Sequence, residues 1–305
     1  MQGLELCRLF YEQCAAPEIE KNFGARASRV AAGLAGQGSD CLGYDDELSR
    51  DHDFGPGCCL WLTEADYADF GCALGSLYAS LPKEFMGFRR NTMPQGEGRV
   101  GVMPASRFYR QLIGSCGVPQ DEPSWFRIPE HFLAAATSGE VFRDDEGGFS
   151  RVRNALLRCY PRDVLLKKLA ARLFVMAQAG QYNYPRIMKR NDAGAASLAL
   201  AEFVSAALSA LHLLNGRYTP YYKWAFRSAR ELPKLHGAVM ELDGLYAATP
   251  CNRAEIIESV CLMVGEHLKK EGLSSCRDGF LVPHAEEIMR KIQSDYLKKM
   301  PISAG

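Results

Sequence analysis

The sequence predicts an α+β protein, with a small mixed sheet and flanking helices in residues 1–120 and an all-helical bundle in residues 121–305. Three observations predict it. Short apolar runs bounded by glycine and proline alternate with helical periodicity before residue 120. From Pro129 onward strand signals nearly vanish and helical spacing takes over. Between the two lies the loop Gly117 to Pro123, where the domain boundary is placed.

The elements follow in order. Leu4, Cys7, Phe10, Cys14 and Ile19 recur at helical spacing, with an interruption expected at Pro17. The stretch Ser28 to Ala35 reads as a buried strand running into the glycine turn Gly36-Gln37-Gly38-Ser39. An acidic segment follows, and His52 to Leu62 reads as a second strand broken by Gly55-Pro56-Gly57. Thr63 is positioned to cap a helix through about Leu81, with Glu64 and Asp66 in its first turn to complement the helix dipole. A glycine- and proline-rich loop then leads to a short strand, Arg99 to Met103, and Ser106 begins a helix through about Gly114. Further helices are expected near 129–138, 150–159, 162–180, 191–215, 220–231, 235–247, 252–272 and 283–298.

Composition narrows the function classes. The 305 residues are 47% hydrophobic and 24% charged, the range of ordinary globular proteins. Thirty-six basic residues balance thirty-six acidic ones, so no global field gathers nucleic acid or an anionic membrane, and a nucleic-acid partner is not expected. The N-terminal stretch mixes Glu, Arg and Lys into its apolar positions, unlike a signal peptide, and no unbroken run of about eighteen apolar residues occurs. A cytoplasmic protein with no membrane partner is the expectation. The eleven cysteines include no CxxC pair and are read as small buried hydrophobes.

The chemistry is carried by Gly38-Ser39, eleven intervening residues, and Asp51-His52-Asp53. On a strand, residues i and i+2 share a face, so Asp51 and Asp53 are expected to project together while His52 turns away into packing. Two carboxylates held that close repel unless a cation lies between them, and hard oxygen ligands favour Mg²⁺. A glycine turn at a strand end lets backbone N–H groups approach a phosphate, and the Ser39 hydroxyl adds a donor. The parts make a platform for Mg²⁺ and a triphosphate.

This strand, Gly-Ser turn and Asp-x-Asp arrangement resembles the polymerase-beta-type nucleotidyltransferase superfamily, which includes the aminoglycoside and lincosamide nucleotidyltransferases. More closely, GSDCLGYDDELSRDHDFGP, YPRDV (Tyr160 to Val164) and RYTPYYKW (Arg217 to Trp224) are similar to the bacterial domain family DUF4037. The resemblance implies an N-terminal nucleotidyltransferase domain followed by a helical bundle that closes over the nucleotide. It implies that Gly38 and Ser39 hold the triphosphate, with ATP as the default nucleotide, and that Asp51 and Asp53 hold Mg²⁺. The implied reaction is attack of an acceptor hydroxyl on the α-phosphate with loss of pyrophosphate. For the leaving pyrophosphate the first candidate is Lys223, with Arg217 and Arg50 behind it.

One position departs from the pattern. A third carboxylate is expected on the strand Arg99 to Val102, and glycine stands at 101. Glu97, or Asp40, Asp45, Asp46 and Glu47 of the first loop, are the alternative acids. Two readings stay open: an active nucleotidyltransferase with an unidentified hydroxyl acceptor, and a nucleotide-binding module of the same fold whose catalysis is impaired. Tyr218, Tyr221, Tyr222 and Trp224 are read either as core or as a stacking surface. Asp163 is read as a first-turn dipole partner behind Pro161 and Arg162.

Overall fold

The computed structural model describes residues 1–50, 54–90 and 98–305. The chain begins with α1 (Gly3–Phe10), a π-helical segment Tyr11–Ala15, and α2 (Ala16–Phe23). Pro17 falls in the first turn of α2, where its missing N–H is not needed, so the expected interruption is a widening of the helix just before it. A 3-10 segment Gly24–Arg29 leads to β1 (Ala31–Leu34), and then come α3 (Ser39–Leu42), β2 (Cys59–Leu62) and α4 (Glu64–Ser80). The hairpin β3 (Glu84–Phe85) and β4 (Phe88–Arg89) precedes β5 (Gly101–Pro104), α5 (Ala105–Ile113), α6 (Glu122–Arg127), α7 (Glu130–Thr137), β6 (Glu140–Arg143) and α8 (Gly148–Leu157). Helices make up the rest: α9 (Arg162–Val175), a π-helical Met176–Asn183, α10 (Tyr184–Lys189), α11 (Ala193–Leu214), α12 (Tyr222–Ala229), α13 (His236–Gly244), α14 (Pro250–Lys270), α15 (Leu281–Lys291) and α16 (Asp295–Lys298). The architecture is α+β, a small mixed sheet with many helices.

Two compact units are present. Residues 1–119 with 132–158 form the first, and residues 120–131 with 159–305 form the second. The first unit holds a four-stranded sheet of order β5-β2-β1-β6. β1 runs antiparallel to β2, pairing Ala31 with Trp61 and Gly33 with Cys59, and antiparallel to β6, pairing Gly33 with Val141. β2 runs parallel to β5, pairing Cys59 with Gly101 and Leu62 with Pro104. The segment after Pro129, read as helical throughout, thus returns one edge strand to the sheet.

Both faces of the sheet are covered, which is why β1 and β2 are apolar at every position rather than alternating. On one face Cys58, Leu60 and Leu62 pack with Phe10, Phe70 and Leu74. On the other, Trp61 stacks on Phe149 with ring centroids 3.7 Å apart and meets Phe108 edge-on at 5.4 Å. Thr63 caps α4 as its sequence position predicts: its hydroxyl accepts the Asp66 N–H at 3.1 Å.

The second unit is helical. Its α11 is long and apolar enough to cross a membrane by length and composition, yet 72% of its most apolar window is buried inside the chain's own fold. The π-helical turn at Met176–Asn183 approaches α11 and α14 closely through Gly180, where a Cβ would lie 2.4 Å from the Phe203 ring and 2.9 Å from Ile257. The core is not purely apolar: α9 directs Lys167 and Lys168 inward.

Candidate functional site

The glycine turn leaves β1 and is pinned by a distant segment. Gly36 donates its N–H to Ser138 Oγ at 3.2 Å, and Gly139 donates its N–H to the Cys41 carbonyl at 2.7 Å. After it, Gly38 caps the start of α3. A Cβ at Gly38 would lie 2.2 Å from Arg99 Nη2 and 2.4 Å from Asp40 Oδ1, so a side chain there would have to displace the Arg99–Asp40 pair. Ser39, half-buried, opens α3, and its carbonyl accepts the Tyr44 N–H at 2.8 Å.

Beside this turn Arg99 forms an ion pair with Asp40, and its Nη2 also lies 3.4 Å from Cys41 Sγ. Asp40 Oδ1 further accepts the Cys41 N–H at 2.8 Å. Burial works against the Arg99 charge, but Cys41 and Asp40 outweigh it and raise the guanidinium above its ordinary value. Burial likewise raises the Cys41 thiol, and pushes Cys59 up to about 11. These thiols are held neutral as packing groups.

Of the four acids in the first loop, each has a distinct fate. Asp40 is consumed by Arg99. Asp46 caps a turn, accepting the Ser49 N–H at 3.0 Å, and Glu47 is exposed. Asp45 differs: Oδ2 accepts the Gly3 N–H at 2.8 Å, while Oδ1 is buried with no hydrogen-bond partner. Among the described residues nothing satisfies that Asp45 oxygen.

Gly101 is buried at the start of β5, donates its N–H to the Cys58 carbonyl at 2.9 Å, and has φ +104°. A Cβ there would point to the Tyr78 ring at 3.6 Å, on the α4 side of the sheet. The glycine is thus demanded by the backbone. An acid at 101 would be strained and would face an aromatic helix surface.

Asp51, His52, Asp53 and Glu97 lie outside the described residues, and among the described residues no three His, Cys, Asp or Glu side chains gather as metal ligands. Arg50 is held over the Phe54 and Phe88 rings, at 5.3 and 5.8 Å, and its Nη2 lies 3.3 Å from the Met1 carbonyl. In the second unit Lys223 is exposed in the first turn of α12, with its ammonium 5.0 Å from the Trp224 ring. The four aromatics of this segment divide. Tyr218 is buried edge-on to Tyr160 at 5.1 Å, whereas Tyr221 and Tyr222 are exposed with their ring centroids 4.4 Å apart. Arg217 is exposed, and Asp163 accepts the N–H groups of Gln293 and Ser294 at 2.8 and 2.7 Å.

The second unit also contains a polar centre that sequence reasoning missed. Glu130 accepts the hydroxyls of Ser209 and Thr219, each at 2.7 Å, and pairs with Arg172 at 3.3 Å. Burial would raise its carboxyl, but Arg172, Ser209, Thr219 and Lys168 together hold it below the ordinary glutamate value. Lys168 lies 5.1 Å from the rings of both Phe126 and Tyr160, and burial pulls its ammonium down to about 8. Lys167 is directed elsewhere and donates to the carbonyls of Pro301 and Ala304 at 2.7 and 2.8 Å. The signal available in the sequence was Lys167-Lys168 and Arg172 set among the apolar residues of α9.

Residues 125–225 match the model of a family described as a domain of unknown function, DUF4037. The match contains YPRDV and RYTPYYKW, and also Glu130, Lys168, Arg172, Ser209 and Thr219; the segment from Gly38 to Asp53 precedes it. No curated protein matches the chain. A solved structure of a nucleotidyltransferase-like protein from Exiguobacterium sibiricum 255-15 is similar over 86% of this chain and 80% of its own, at 10% identity and a TM-score of 0.35.

Proposed function

We propose that the chain is a Mg²⁺-dependent nucleotidyltransferase that moves the nucleoside monophosphate part of a triphosphate onto a hydroxyl of an acceptor, with AMP from ATP as the first transfer to test. The observation that carries this reading is Gly38, a strand-to-helix turn residue whose missing side chain leaves the Arg99–Asp40 ion pair packed against its backbone. Such a turn presents N–H groups to an oxyanion, and the Ser39 hydroxyl stands next to them.

In this proposal Gly38 and Ser39 receive the triphosphate, and Asp51 and Asp53 hold Mg²⁺. Magnesium, when bound, neutralises charge on the phosphate oxygens. The acceptor oxygen forms a bond to the α-phosphorus as the bond to the pyrophosphate oxygen breaks, and the acceptor proton passes to a carboxylate. Asp45, with its unsatisfied Oδ1, is the acid of the first loop best suited to that role or to a third metal contact.

A second reading, a nucleotide-binding module with impaired catalysis, draws on Gly101, whose backbone excludes an acid at that position. One experiment separates the two. The protein is incubated with Mg²⁺ and each labelled triphosphate, and binding, pyrophosphate release and acceptor labelling are followed. Transfer requires binding and release that both vanish in Asp51→Asn and Asp53→Asn. Binding without release in any acceptor pool favours the module, and absence of triphosphate binding refutes both.

A further inference from the structure

We infer that the exposed Tyr221 and Tyr222, with the exposed cations Lys223 and Arg217 of the same segment in the second unit, make a binding surface for single-stranded nucleic acid. Tyr221 is 53% exposed and Tyr222 78%, which is costly for two neighbouring rings that the fold could have turned inward, as it turns Tyr218. The rings pack on their neighbours: their centroids are 4.4 Å apart with the planes tilted by 47°, and the His131 ring meets Tyr221 edge-on at 6.3 Å. A held pair of aromatic faces gives up little rotamer entropy when a planar ligand stacks on it.

Charge selects the planar ligand. Between Glu202 and Glu231 the sequence holds Arg217, Lys223, Arg227 and Arg230 and no acid. Arg230 is paired with Asp243 at 2.7 Å, but among the described residues neither Arg217 nor Lys223 forms an ion pair. The chain is neutral overall, yet this stretch is locally cationic. Two exposed cations in the same segment as a tilted aromatic pair suit a ligand that alternates flat rings with phosphates. A duplex hides its base faces, and a free mononucleotide offers one ring where two tyrosines wait. An unpaired strand supplies successive bases and successive phosphates together.

The test is fluorescence anisotropy of the full chain with a short labelled single-stranded oligonucleotide, without Mg²⁺ or triphosphate, so that its outcome is independent of the transfer reaction. Binding is expected at low salt and is expected to weaken about five- to hundred-fold in Tyr222→Ala. Tyr222→Phe should keep the wild-type affinity, since the ring remains. Lys223→Gln and Arg217→Gln should each make the log-log salt slope shallower by about 0.7. Tyr246→Ala, another exposed tyrosine of this unit, serves as the control and should bind as wild type. No binding at low salt would overturn the inference. So would equal affinity for duplex, full competition by a free mononucleotide, or an affinity that Tyr222→Ala leaves unchanged.

Discussion

Arg99 forms its ion pair with Asp40 in the space that a side chain at Gly38 would occupy. The Gly38 turn and a buried cation are therefore one structure, joined across fifty-nine residues of sequence. Removing the guanidinium in Arg99→Gln leaves the Asp40 carboxylate buried without a counter-charge, at a cost of about 3–5 kcal/mol. The double variant Asp40→Asn/Arg99→Gln should recover part of that loss, because both charges go together. Urea unfolding of the wild type and the two variants checks this. On the proposed function, Gly38→Ala should weaken triphosphate binding at least ten-fold in a titration, since the new methyl displaces either Arg99 or the turn backbone proposed to meet the phosphate.

Gly101 invites a repair that should fail. Restoring the expected acid in Gly101→Asp forces a side chain onto a backbone at φ +104° and points it at Tyr78. Destabilisation of about 1–3 kcal/mol is expected, with no gain in pyrophosphate release. Asp45→Asn is the contrasting variant. It should keep triphosphate binding and lower release, measured in one coupled assay; unchanged release would remove Asp45 from the chemistry.

How far these features were readable follows from how local their causes are. The Thr63 cap, the helical spacing of α9 and α11, and the strand leading into the Gly-Ser turn are set by neighbours within a few residues, and each is visible in the sequence. β6 was not: Glu140 to Arg143 is a four-residue edge strand whose partner Gly33 lies far upstream, so nothing near it announces pairing. Arg99 was read as the first residue of a strand, and its ion pair was hidden because Asp40 lies fifty-nine residues upstream. The partners of Glu130 stand 42, 79 and 89 residues away, and only the folded chain assembles them. The two exposed tyrosines were ambiguous for the opposite reason: periodicity tells which face of a helix is apolar, not whether a ring at its first turn is covered.

Glu130 makes an acid-side prediction. Its folded carboxyl titrates below the ordinary 4.5, so the stability it contributes is complete above that value and is lost as pH falls through the lower folded value. Glu130→Gln should cost about 3–5 kcal/mol at neutral pH, since Arg172 and Lys168 lose their buried counter-charge. The variant and the wild type should converge as pH drops below 4.5. Circular dichroism melts across that range measure the gap, and a gap that stays constant down to the lowest pH would show that the carboxylate is not what stabilises the cluster.

Lys168 gives the opposite sign. Burial lowers its amine from 10.5 to about 8, so the folded state disfavours the charged form and is penalised wherever the unfolded chain would carry the proton. The penalty is full below pH 8, shrinks between 8 and 10.5, and is gone above 10.5. Lys168→Met keeps most of the volume and removes the charge, at the loss of the contacts with the Phe126 and Tyr160 rings, which are worth about 0.5–2 kcal/mol. Because the shift already includes the attraction of Glu130, the desolvation that Met relieves is the larger quantity, and the variant should melt higher than wild type at pH 7. Between pH 8 and 10.5 the wild type should close that difference. A variant that melts lower at pH 7 would instead mean that the Lys168 charge supports Glu130 more strongly than burial opposes it, and the prediction for Glu130→Gln would then have to grow by the same amount.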